Sequence, residues 1–135
     1  MTKKLAAAAV LLGLAVIIIL ITRGGENMQY YNHNRNRVIT ASQAREMMRS
    51  NPNAVILDVR TKQEFSKERI PGAISLPDYA INDRATTLIP SLNTMILIYC
   101  RSGVRSRSAM YDLLALGYTN AYDFGGIMNW PYEKE

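Results

Sequence analysis

The apolar positions of this chain change period several times, and each change marks an element. Residues 5–21 are apolar throughout, with no charged or polar side chain. A run without a polar face does not suit a half-buried helix of a soluble core. As a helix, its 17 residues would measure about 25 Å, near the lower limit for crossing a bilayer. Lys3 and Lys4 precede it, and residues 23–37 after it are polar and read as a linker. Arg23 spoils the small-residue cleavage pattern of a signal peptide. The expectation is an uncleaved transmembrane anchor over residues 1–22, a linker over 23–37 and a domain over 38–135. Lys3 and Lys4 favour a cytoplasmic N-terminus, against Arg23, Arg35 and Arg37 on the other side. The domain of this single-pass protein is then expected outside the cytoplasm.

From Val38 the pattern alternates between short apolar runs and helical spacing. Val38 and Ile39 suit a short edge strand. Thr40 with Gln43, and Thr61 with Glu64, each form a capping box. They predict helices over residues 40–50 and 61–69. Strands are predicted at 54–57, ending at Asp58, and at 73–76. Residues 77–90 predict a helix and a loop, with Leu88 and Ile89 packing inward. Residues 95–99 (MILIY) form a strand buried on both faces, the mark of a parallel sheet. A helix over 106–116 and a strand over 121–124 complete the series. Repeated strand–helix units of this length imply an α/β fold, a small parallel sheet with helices on both faces.

Cys100 stands at the C-terminal end of the apolar strand, where open α/β sheets place their ligand sites. Arg101, Ser102, Gly103, Val104 and Arg105 follow, and then the helical pattern begins. A loop curling into a helix N-terminus presents backbone N–H groups and the positive end of the helix dipole. Two arginines add full charges. All of these favour the thiolate, which is the nucleophilic form. A lone cysteine is more often a small buried residue, but this setting makes Cys100 a candidate nucleophile.

Composition narrows the picture. Charged residues make up 20% and apolar residues 48% of the chain, so the domain has the material for a core. One cysteine excludes an intrachain disulfide and a cysteine-rich metal site. The sole histidine, His33, lies in the linker without metal-binding company, and neither metal nor cofactor is expected. The net charge of +5 comes mostly from the N-terminal part. Of 16 basic and 11 acidic residues, 11 and 10 lie from Val38 onward. A nearly neutral domain offers no footprint for nucleic acid.

Four segments in order resemble the rhodanese family. They are residues 55–60 (VILDVR) with Glu64 and Phe65, residues 70–73 (IPGA) with Pro77, the loop 100–106 (CRSGVRS), and Leu116, Gly117 and Tyr118 followed by Gly125, Gly126 and Trp130. Together they span nearly all of residues 38–132. The family usually carries Gly-His where this chain has Glu68 and Arg69, positions expected on the surface. The resemblance implies a rhodanese-like sulfurtransferase with Cys100 as the catalytic residue. A six-residue cradle, Cys100 to Arg105, would hold a sulfur carried on the cysteine. Arg101, Ser102, Gly103, Val104 and Arg105 would bind small sulfur-containing anions and thiols, with Arg105 the more inward arginine. A protein sulfur acceptor is also conceivable. Asp58 and Arg60 are candidate supporting residues, although a structural ion pair or turn anchor is the stronger reading of them.

Two rivals stand beside this reading. A phosphatase or arsenate reductase on the same fold would need five residues between cysteine and arginine, and position 106 is serine. A membrane-tethered binding module without catalysis would have no need of an intact cysteine loop.

Overall fold

In the computed structural model, which describes residues 36–135, four parallel strands form one sheet in the order β2-β1-β3-β4. These are β1 (Val55–Asp58), β2 (Ile74–Ser75), β3 (Ile96–Cys100) and β4 (Ala121–Gly126). Val38 adds a single parallel bridge to Asp123 beyond β4. The helices are α1 (Ala41–Ser50), α2 (Lys62–Lys67), α3 (Ile81–Leu88) and α4 (Val104–Ala115).

Sequence period explains how the layers form. All five residues of β3 are buried, as a strand covered on both faces requires. Alternation sends Ile96, Ile98 and Cys100 into one core with Ala85 of α3 and Ala109, Met110 and Leu113 of α4. It sends Leu97 and Tyr99 to the opposite face, with Ala44 of α1, Phe124 and Trp130. Each fully buried aliphatic side chain here is worth roughly 1.5–3 kcal/mol of transfer free energy. The same alternation in β4 puts Ala121 and Asp123 on the Cys100 face and Tyr122 and Phe124 on the other. That places a carboxylate in the same layer as the cysteine.

Chain direction fixes where a site forms. From β1 the chain moves outward to β2, and from β3 it moves the other way to β4. The crevice between the C-terminal ends of β1 and β3 is therefore the topological switch point. Cys100 ends β3, and Asp58 ends β1.

Both capping boxes form as predicted, at Thr40/Gln43 and Thr61/Glu64. Some boundaries differ from the sequence reading. The second helix stops at Lys67, because Glu68 is extended and Arg69 exchanges two backbone hydrogen bonds of 2.9 Å with Glu135. Glu68 is exposed as expected, while Arg69 is half-buried and paired with Glu135 at 3.0 Å. Helix α4 begins at Val104, two residues earlier than expected, because Gly103 at φ 104° caps it. Leu88 does not pack inward. It is 43% exposed, while Ile81, Ala85 and Ile89 occupy the buried face of that segment. Among the described residues no helix is long and apolar enough to cross a membrane. The expected anchor, residues 1–22, and residues 23–35 of the expected linker lie outside the described residues, while the Arg37 carbonyl at the linker's end accepts the Asp123 N–H at 2.9 Å.

Candidate active site

The Cys100 sulfur sits inside a ring of donors. The Gly103 N–H points at Sγ over 3.0 Å, and the Ser106 hydroxyl lies 3.5 Å away. Burial, the largest single influence, disfavours the anion. Hydrogen bonds from the Ser106 side chain and from the backbone N–H groups of Ser106, Gly103 and Ser102 together outweigh it, and the thiol pKa falls below its ordinary 9.0. The sulfur also faces the N-terminus of the 12-residue helix α4, whose dipole acts in the same direction.

Two contacts hold the ring in shape. Gly126 lies so close that an added Cβ would come within 2.2 Å of the Arg101 carbonyl oxygen. That carbonyl accepts the Met128 N–H at 3.3 Å. It therefore faces the segment after β4, and only glycine leaves the room. On the outer side, Arg105 forms a two-pronged pair with Glu64 of α2, both N···O distances being 2.8 Å. This clamp joins the turns after β1 and β3. The Arg105 guanidinium holds the Glu64 carboxyl at about 2, well under the usual carboxylate range.

The loop residues expected from sequence occupy these places. Gly103 caps the helix, and Ser102 and Val104 are exposed on the rim. Arg105 is the more inward arginine, but its guanidinium is committed to Glu64. Arg101 is exposed and borders an open cleft of about 380 Å³. Arg60, Lys67 and Lys134 also line this cleft, against Glu64 and Glu68. Cys100 itself is not on its wall. Asp58 and Arg60 form a buried pair at 2.6 Å, in which Arg60 also donates to the Glu68 carbonyl. The structure brings them to the edge of the crevice but occupies them with each other. Among the described residues no cluster of histidine, cysteine, aspartate or glutamate could hold a metal ion.

A cysteine ringed by N–H donors at a switch point is a known design. The profile of the rhodanese-like domain matches residues 40–132. The chain belongs to the rhodanese-like family. Its rhodanese-like domain is 32% identical over 78 residues to thiosulfate sulfurtransferase PspE of Escherichia coli, a match covering 58% of this chain and 75% of that one. It is 33% identical over 93 residues to thiosulfate sulfurtransferase GlpE of Actinobacillus succinogenes, covering 68% and 81%. A rhodanese-like domain protein from Staphylococcus aureus superposes with a TM-score of 0.63 at 29% identity, covering 72% of this chain and 93% of that structure.

Sequence reasoning missed four contributors to the site. Ser106 figures in the sequence as the end of the resembling loop and the start of a helix, and nothing there foretells its contact with the sulfur. Asp123 carried a usable signal, since a carboxylate inside an apolar strand needs a buried partner. Gly126 figures in the sequence only as part of the rhodanese resemblance. Glu64 was read as a cap, and nothing local announces its pairing with an arginine 41 residues later.

Proposed function

We propose that this protein is a sulfurtransferase that carries a sulfane sulfur as a persulfide on Cys100. The observation that carries the reading is the sulfur's setting, with donors from Ser102, Gly103 and Ser106 and a lowered thiol pKa. The Cys100 thiolate attacks the outer sulfur of a donor such as thiosulfate. A new S–S bond forms, the donor's own S–S bond breaks, and sulfite leaves with the electron pair. An acceptor, cyanide in an assay or a thiol in the cell, then attacks the outer sulfur and restores the thiolate. A protein thiol is one such acceptor. This is covalent catalysis in two half-reactions, and the N–H cradle serves as a preorganised anion site in both.

Arg101 is the arginine that draws in the anionic donor, since Arg105 is spent on Glu64. Asp58 and Arg60 support the site by fixing the turn beside it. Arg105 positions the loop. The apolar residues 5–21 anchor the protein to a membrane, with the domain outside the cytoplasm.

Mass spectrometry of the purified full chain tests the chemistry. Thiosulfate should add one sulfur, about 32 Da, that cyanide removes and that a Cys100→Ser variant never gains. No gain with any sulfane donor would remove the enzyme and leave a tethered binding module as the better account.

A further inference from the structure

Four polar or charged side chains are buried among the described residues: Asp58, Arg60, Ser106 and Asp123. The first two satisfy each other. The second two form a chain that ends on the cysteine. Ser106 Oγ lies 2.7 Å from Asp123 Oδ1, 3.3 Å from the Gly125 carbonyl and 3.5 Å from Cys100 Sγ. A hydroxyl has one hydrogen to give, so these acceptors compete for it. Asp123 is well supplied with other donors. Its Oδ1 accepts the Gly125 N–H at 2.9 Å, and its Oδ2 accepts Arg107 Nε at 2.7 Å.

We propose that Asp123 is a positioning residue that acts on Cys100 through Ser106: it holds the hydroxyl hydrogen while the cysteine sulfur is neutral and yields it when that sulfur becomes an anion. In the thiol state every donor has a place. Cys100 S–H donates to Ser106 Oγ, and Ser106 O–H donates to Asp123. In the thiolate state the same geometry would aim an oxygen lone pair at a negative sulfur. Rotation about the Ser106 Cβ–Oγ bond turns the O–H to the sulfur instead. Asp123 can release it because Gly125 and Arg107 remain. No proton changes owner in this rotation; the thiol proton itself leaves to solvent.

The consequence reaches the reaction cycle, and that part rests on the function proposed above. In a persulfide the negative charge sits on the outer sulfur and Sγ is neutral. The hydroxyl then returns to Asp123. Asp123 thus favours the loaded enzyme over the empty one, and Ser106 favours the empty thiolate.

Other charges surround the sulfur. Arg105 attracts it and is itself held by Glu64 and faced by Asp78. Arg101 stands at the loop's exposed side, and the Asp58–Arg60 pair ends the neighbouring strand. All of these stay unchanged in the variants below.

Cys100 is the chain's only cysteine, so the pH dependence of iodoacetamide alkylation of the full chain reports on it alone. Ser106→Ala should raise the alkylation midpoint by about one pH unit, the scale of a lost hydrogen bond to a charged group. Asp123→Asn should lower it by roughly half a unit, because a neutral amide holds the hydroxyl less firmly. In the Ser106→Ala background, Asp123→Asn should shift it by less than about a third of that, since no hydroxyl remains to contest. Equal shifts in both backgrounds would reduce Asp123 to a through-space charge and overturn the proposal. So would a midpoint that stays or rises in Asp123→Asn alone. Should that variant not fold, Arg107→Gln replaces it, at a side chain 47% exposed. It leaves Asp123 a greedier acceptor and should raise the midpoint with Ser106 present, far more than in the Ser106→Ala background. Alkylation needs no sulfur donor, so this proposal and the persulfide reading fail separately.

Discussion

The turns after β1 and β3 begin alike and end differently. Both leave central strands at buried residues on the same sheet edge, both carry arginine within a few residues, and both lead into a helix. After β1, the polar groups consume one another. Asp58 takes the backbone N–H and the guanidinium of Arg60 in bonds of 2.6–3.0 Å. After β3, the backbone and hydroxyl donors converge on the Cys100 sulfur instead of on one another. Position at a switch point is therefore not enough for chemistry. The turn must also keep donors uncommitted, and a partner turn whose charges are already satisfied supplies the rigid side of the crevice.

The comparison is broken most severely at Asp58. Asp58→Ala leaves the Arg60 guanidinium buried without its partner and should cost about 3–5 kcal/mol in urea unfolding. A variant that stays stable but fails to load sulfur would give the β1 turn a chemical role and undo the contrast. Gly126→Ala comes next. The new Cβ must displace the Arg101 carbonyl, at about 2–3 kcal/mol. Alkylation of Cys100 should slow in the fraction that remains folded, because the cradle has shifted.

Glu64→Gln sharpens the link between the two turns. Its carboxyl, near 4.5 when free, is held at about 2 by Arg105. A depressed carboxylate stabilises the fold above its free value, and that stability is lost as pH falls through the folded value. The pair is about 30% exposed, so solvent screening leaves roughly 1 kcal/mol. Wild type and variant should differ by that amount at pH 7 and converge between about pH 4.5 and 2. The smallest effect on stability belongs to Arg101→Gln, under about 0.5 kcal/mol at an exposed side chain. Its KM for thiosulfate should nevertheless rise roughly tenfold, equivalent to about 1.4 kcal/mol of lost attraction. An unchanged KM would move donor recognition to the other cations of the cleft.

Most of the fold was legible because its signals are local. Capping boxes at Thr40 and Thr61 and the apolar run before Cys100 act within a few residues and form where expected, while the loop around Gly103 is two residues shorter than expected. The early start of α4 has a local cause in Gly103, whereas the early end of the second helix has a long-range one. Arg69 leaves the helix to pair with Glu135, and no window around residue 69 contains that partner. Hydrophobicity alone points Leu88 to the core, but Ala85 and Ile89 already fill the buried face of that segment.

The candidate nucleophile and the loop around it can be picked out from contiguous residues alone. Strand burial, helix start and glycine placement are encoded in contiguous residues and need no distant partner. Only the tertiary structure decided how the polar groups are shared. Arg105 was free to serve the site until Glu64 claimed it from another turn. Ser106 and Asp123 lie 17 residues apart and meet only because β3 and β4 pair in parallel and α4 covers the face they share. Hydrogen-bond partnership depends on distances of a few ångströms between segments, and sequence order does not carry that information.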